Sequence, residues 1–249
     1  MDSSLLRMRQ IVLPLAEGDF PFDWTVMPGE LWVVLGADGS GKSTLVKAMT
    51  GLIRLNAGRV HLLGHDLHQI NSSRLLQLRN HRLGVMLEKD GLVPSWTVFE
   101  CFELPWRYHE RLETDKIEHR IREIMVNHGE DPALLSRVVA TLTEEQRQRM
   151  GLLRALQMEP DLLIIDNQRA VSFLPRYFQV SLAKRLSEKK CSLVLRATPG
   201  ILSSLPREQM LFAVMMKGTM VASGNFDAIN SHPGTDVVNF FEECNLWLS

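Results

Sequence analysis

Cysteine, charge of one sign and long apolar runs are what this 249-residue chain has little of. Its three cysteines, Cys101, Cys191 and Cys244, lie far apart and form no CxxC pair, which excludes a readable zinc knuckle or disulfide framework and suits a reducing cytosol. Lys and Arg number 28 against 29 Asp and Glu, a formal net charge of −1, so bare nucleic acid is not expected as a partner. The longest apolar runs, such as Leu211 to Met216, fall far short of the roughly 18 residues that span a bilayer. The opening stretch is broken by Asp2, Arg7, Arg9, Glu17 and Asp19 and lacks the apolar centre of a signal peptide. Any membrane role is therefore expected to be peripheral. No repeat, low-complexity tract or Pro/Gly-rich linker divides the chain, so one continuous domain is expected.

What is present is an ordinary globular composition, 45% hydrophobic and 23% charged, with length enough to bury a core without staples. Leu31 to Leu35 is a short apolar run that ends at a Gly-rich turn, after which Leu45, Val46, Ala48 and Met49 continue at helical spacing. That reads as strand, loop, helix. Further strands are expected at Val60 to Leu63, Leu83 to Leu87, Asp161 to Ile165 and Cys191 to Leu195, with a helix from about Arg176 to Glu188. Between Pro94 and Met158 the periodicity turns helical, with Ile117, Ile121, Ile124 and Met125 on one face. A hairpin is expected from Met210 to Met216 and Met220 to Ala222 around Lys217-Gly218, before an amphipathic tail that includes Phe240, Phe241, Leu246 and Trp247. Strands alternating with helices predict an α/β fold with a largely parallel sheet.

The turn itself, Gly36, Ala37, Asp38, Gly39, Ser40, Gly41, Lys42, Ser43 and Thr44, fits GxxxxGK[ST] in full and sits between strand and helix as phosphate binding requires. Glycines let backbone N–H groups turn inward around phosphate oxygens, and the helix N-terminus adds its dipole. Lys42 supplies a point charge and Ser43 offers a hydroxyl to Mg²⁺. Nucleotide binding is the expectation.

This loop, followed in order by LGVMLEKDGLVPSWTVFE, LTEEQRQRMGLLRAL and PDLLIIDN, resembles the motifs of an ABC-transporter ATPase subunit over nearly the whole chain. The stretch from Gly64 to Arg107 more narrowly resembles the ATP-binding subunits of Mla/Mce-type phospholipid transporters. The resemblance implies a P-loop NTPase fold, a RecA-like ABC nucleotide-binding domain with core residues about 1–90 and 159–249 and an inserted helical subdomain at about 91–158. It also implies ATP and Mg²⁺ as cofactors, a homodimer or heterodimer of ATP-binding subunits, a membrane permease as partner, and a cytoplasmic location peripheral to the inner membrane.

Residue by residue, the same resemblance predicts a damaged catalytic site. Asp166 matches the Walker B aspartate that supports Mg²⁺ through water, but the general-base position is Asn167, whose amide cannot accept a proton from water. General-base catalysis contributes about 10²–10⁴-fold. The Q-loop position is Glu88, and no histidine lies between His128 and His232, so the switch histidine expected in the stretch from Arg196 to Gly200 is missing. The signature loop reads Leu142, Thr143, Glu144, Glu145, Gln146, with two carboxylates in place of two glycines; Thr143 and Gln146 form instead the pattern of a helix capping box. The D-loop position holds QRAVSFLPR without a Leu-Asp pair, and the adenine-stacking position falls on Leu13, with Phe20 or Trp24 as substitutes.

Smaller signals carry two readings each. His61, His65 and His68 suggest a metal cluster less than they suggest a surface turn. Arg147, Arg149 and Arg154 read as a solvated or interface helix face. Trp96, Phe99, Phe102, Leu104 and Trp106 divide between core and a surface that docks a permease. The leading expectation is a subunit that binds MgATP through Gly36 to Thr44 and Asp166 with little or no hydrolysis. A working ATPase rebuilt around Glu88 and a soluble regulatory module without a permease are the alternatives.

Overall fold

The structure, a computed structural model, describes residues 3–14, 20–109, 113–167, 176–196 and 210–231. Two sheets carry the fold. The first is four-stranded and antiparallel, in the order β2-β1-β4-β5, from β1 (Leu6–Val12), β2 (Phe22–Val26), β4 (Ala57–Leu62) and β5 (His65–Asp66). The second is six-stranded, in the order β10-β9-β3-β8-β7-β6, from β3 (Leu31–Leu35), β6 (Leu83–Met86), β7 (Leu162–Ile165), β8 (Ser192–Arg196), β9 (Met210–Met216) and β10 (Thr219–Gly224). Its pairings are parallel except β9 with β10, the expected hairpin.

All five residues of β3 and all four of β7 are buried, which is why these strands read as unbroken apolar runs: a parallel sheet is covered on both faces. Strand alternation sorts them. Leu31, Val33, Leu35, Leu163 and Ile165 join one core, with Phe102, Ile117, Ile121, Met125 and Met150 of the helical segment. Trp32, Val34, Leu162 and Ile164 join the other, with Leu45 and Met49 and with Leu6, Met8, Trp24 and Val60 of the antiparallel sheet.

The helices are α1 (Lys42–Met49), α2 (Ser72–His81), α3 (Val98–His109), α4 (Thr114–Asn127), α5 (Glu144–Leu156), α6 (Arg176–Ser187) and α7 (Phe226–Asn230). On α4, Ile117, Ile121 and Met125 are fully buried and Ile124 is at the margin, as the spacing predicts. No described helix is long and apolar enough to cross a membrane.

The antiparallel sheet is the main departure from the expected architecture. Leu6, Met8, Phe22, Trp24 and Val26 alternate inward with Arg7, Asp23 and Thr25 between them, so the period-two signal is present in the sequence. A bulge between Met8 and Ile11, with Gln10 at φ 50°, breaks the alternation in β1 and hides it. Helix α2 is also unexpected; it buries only Leu78 and therefore shows little apolar periodicity.

Candidate nucleotide site

The phosphate loop leaves β3 and enters α1 through two glycines that no other residue replaces. Gly36 has φ 150°, and a Cβ there would lie 2.4 Å from the carbonyl oxygen of Met215; Gly41 has φ 101° and forms the N-cap. No side chain caps α1 and no acid of its own lies in its first turn, so its positive end faces the loop. The β9–β10 hairpin props the loop from outside, where the Gly218 amide donates to the Ser40 carbonyl at 3.0 Å. Ala37, Asp38 and Gly39 are exposed at the rim, Ser40 is buried, and Thr44 is half-buried on the first turn of α1.

Lys42 is 4% exposed and folds back over the loop, its Nζ donating to the carbonyls of Gly36 at 2.7 Å and Ala37 at 2.6 Å and to Ser40 Oγ at 3.3 Å. Burial lowers its pKa, and the Arg196 guanidinium lowers it further against the opposing pull of Asp38 and Asp166. Among the described residues the hydrogen bonds of this buried ammonium go to neutral oxygens, an arrangement that favours an anion beside it.

Sheet register brings the next group together. Ile165 pairs with Leu195 across β7 and β8, so the residues that follow each, Asp166 and Arg196, emerge side by side at the carboxyl ends of the strands, where ligands of open α/β sheets bind. Ser43 Oγ donates to Asp166 Oδ1 at 3.3 Å, and Arg196 Nη1 donates to both oxygens, at 3.0 Å to Ser43 and 3.2 Å to Asp166. Burial raises the Asp166 pKa, with Ser43 and Arg196 opposing and the Glu88 carboxylate adding to the rise.

Ser43 and Asp166 are thus together, as the magnesium reading needs, but that reading does not fit the arrangement. Mg²⁺ demands an octahedron of oxygens at about 2.0–2.1 Å. Here a guanidinium nitrogen already holds both oxygens. Two unit charges 4 Å apart at an effective dielectric of about 20 repel by about 4 kcal/mol, and a divalent ion doubles that.

Asn167 is 4% exposed, and its amide nitrogen donates to the Glu88 carbonyl at 3.0 Å and to Gln148 Oε1 at 2.7 Å. Gln148 in turn donates to Glu144 at 2.9 Å, so a hydrogen-bonded chain runs from the start of α5 to the end of β7. Glu88 itself is exposed. The signature segment is a helix start: Thr143 Oγ1 accepts from the Gln146 amide at 3.2 Å and Gln146 Oε1 accepts from the Thr143 amide at 3.0 Å. Such a cap stabilises a helix by about 1 kcal/mol. Glu144 pairs with Arg147, and Glu145 with Arg149 at 3.3 Å, so both signature carboxylates are engaged along their own helix.

Other candidates separate in space. Leu13 is fully buried and Trp24 stacks edge-on against Trp32 at 5.3 Å, which removes both from adenine. Phe20 is 65% exposed, and its carbonyl accepts from Thr219 Oγ1 at 2.9 Å beside the hairpin that props the loop. His61 and His68 flank Asp66 on the surface, at 4.0 Å and 3.5 Å, and no metal-binding cluster occurs among the described residues. Arg147 and Arg149 are half-buried and paired with acids, while Arg154 packs against Gly91 in a cleft shared with Arg79 and Leu87. Phe102 and Trp106 are core, whereas Trp96 and Leu104 are exposed. The D-loop stretch QRAVSFLPR lies almost wholly outside the described residues, as do positions 197–200 and the tail.

Arg196 and Gln148 are the two site residues that sequence reasoning missed. A guanidinium closing an apolar strand beside the Asp166 strand is a signal for the first; Gln148, one of many polar residues on α5, has none.

A family model described as ABC transporter matches residues 21–170. The chain is 29% identical over 227 residues to the glycine betaine/carnitine transport ATP-binding protein GbuA of Listeria monocytogenes, an overlap of 88% of this chain and 55% of that protein. It therefore spans just over half the length of that relative. It is 30% identical over 172 residues to the lipoprotein-releasing system ATP-binding protein LolD of Shewanella oneidensis, covering 67% of this chain and 74% of that one. Among solved structures, the dimeric ATP-binding cassette MJ0796 bound to ADP and Pi superposes with a TM-score of 0.75 at 18% identity, over 88% of this chain and 98% of that one. At that identity the likeness is one of fold.

Proposed function

We propose, from the premise that this chain belongs to the ABC transporter family and carries its ATP-binding domain, that it binds ATP through Gly36 to Thr44 and hydrolyses it little or not at all. One observation carries the second half of this reading. The amide nitrogen of Asn167, at the position where a general base is needed, is held by the Glu88 carbonyl and Gln148 and has no basic function. ATP then acts by mass action on the bound state rather than as the fuel of a cycle.

The apolar surface supports a permease partner over a free-standing regulatory module. Val93, Trp96, Leu104 and Val138 are 36–43% exposed. The Thr97–Val138 bridge and the Val139 amide bond to the Trp96 carbonyl at 2.8 Å set Trp96 beside Val138. We assign the partner to Mla/Mce-like lipid transport on the resemblance of the Gly64 to Arg107 stretch alone, and the location to the cytoplasmic face of the inner membrane. Pairing with a second ATP-binding subunit, identical or not, leaves each composite site short: one half contributes Thr143 to Gln146, the other Asn167.

A second reading has one observation in its favour. The Glu88 carboxylate is close enough to Asp166 to raise its pKa, which suits a rebuilt ATPase. ATP binding and turnover by the wild type and Lys42→Ala decide between them. Binding lost in Lys42→Ala, with turnover equal in the two proteins, is the expected result. Wild-type turnover above the Lys42→Ala level, abolished by Glu88→Gln, would establish the Glu88 enzyme instead.

A further inference from the structure

Arg196 stands where the phosphate loop and the Asp166 strand meet, and three observations bear on what it does there. Its Nη1 donates to both Ser43 Oγ and Asp166 Oδ1, the two oxygens that a divalent cation would otherwise hold. Its side chain is 13% exposed and that of Asp166 is 2% exposed, so the pair is not a solvated surface contact. Its Nε is buried without a hydrogen-bond partner among the described residues, a donor left over after both protein oxygens are satisfied. A buried donor of this kind costs free energy until an acceptor arrives.

Lys42 is buried, and the half-buried Arg196 guanidinium lowers its pKa, with the carboxylates of Asp38 and Asp166 opposing. A guanidinium meets phosphate oxygens with directed N–H donors where a metal would meet them with coordination bonds. Adding a divalent ion to the same oxygens sets it against the guanidinium.

We infer that Arg196 is a built-in replacement for the divalent cation, so that this site takes nucleoside triphosphate as the metal-free polyanion. The inference rests on the ATP-binding reading above and deepens it. It makes Arg196 a binding residue, and it supplies a reason for weak hydrolysis besides Asn167, because the cation that would stabilise a transferring phosphoryl group is replaced by a fixed monovalent one.

The test is calorimetric titration of the full chain with ATP in excess EDTA and again in excess MgCl₂, for the wild type and for Arg196→Thr. The wild type is expected to bind in EDTA at least as tightly as in magnesium, and Arg196→Thr to lose about tenfold in EDTA, equivalent to about 1.4 kcal/mol, while binding better in magnesium than in EDTA. A wild type that prefers magnesium by more than about threefold overturns the inference and leaves the ATP-binding reading intact. No binding in either buffer overturns both. The wild-type comparison needs no variant, so a poorly folded Arg196→Thr does not blunt the test.

Discussion

Replacing Asn167 by glutamate, the obvious repair of the general base, puts a carboxylate where two acceptor oxygens already point. The Glu88 carbonyl and Gln148 Oε1 both receive hydrogen bonds from the Asn167 nitrogen, and a carboxylate donates to neither. Losing two buried hydrogen bonds costs about 2–6 kcal/mol unless Gln148 turns its amide and abandons Glu144. Asn167→Glu is therefore expected to lower the denaturation midpoint and leave turnover at the Lys42→Ala level, as a coupled ATPase assay and a urea titration would show. Cys191 couples stability to pH. It is 1% exposed, and burial pushes its thiol up to about 11 from an ordinary 9.0. Between those values the unfolded chain releases a proton that the folded chain keeps, so stability is full below about pH 9, falls as pH rises and levels off above about pH 11. The loss is at most about 3 kcal/mol, and urea midpoints from pH 8 to 11 should fall less steeply in Cys191→Ala.

Helix α5 lies close against β6 and the loop that follows it. A Cβ on Gly151 would lie 2.6 Å from the Asp90 carbonyl oxygen, and one on Gly84 of β6 would lie 2.4 Å from the Ala155 carbonyl. Alanine in a helix interior gains up to about 1 kcal/mol over glycine, while overpacking against backbone costs about 1–3 kcal/mol. The contact at Gly151 is with a carbonyl that cannot swing away, so the second effect wins. Gly151→Ala is expected to destabilise the protein by about 1–2 kcal/mol in chemical denaturation. Thr143 and Gln146 start α5 whether or not a nucleotide is near, which accounts for a signature segment that keeps its helix while carrying two acids.

For the whole molecule, ligand binding and stability are one equilibrium. ATP at a hundredfold excess over its dissociation constant stabilises the folded chain by about 2.7 kcal/mol. For a chain of this length that is a rise in melting temperature of about 5–11 °C. Scanning fluorimetry with ATP is expected to show that rise in the wild type and none in Lys42→Ala. Phe20→Ala should show a smaller rise, because stacking on a base contributes about 1–3 kcal/mol and Phe20 is an exposed aromatic tied to the hairpin that props the loop.

The sequence by itself determined the parts whose cause is local. A glycine-rich turn between an apolar strand and a helix, the period of the α4 face, the Thr143 capping pattern and the hairpin at Lys217-Gly218 each follow from neighbours in the chain, and each lies where the spacing predicts. The antiparallel sheet was written in alternating residues at Leu6 to Met8 and Phe22 to Val26, but its bulge and its interleaved arginines obscured the period. What only the tertiary structure decided was which distant polar groups share one set of hydrogen bonds. Arg196 reaches Asp166 and Ser43 because β8 lies between β3 and β7 in register, and Asn167 is held because α5 presents Gln148 to the end of β7. Side chains 30 and 123 residues from Asp166 converge on its carboxylate through strand order, and strand order is a property of packing rather than of spacing.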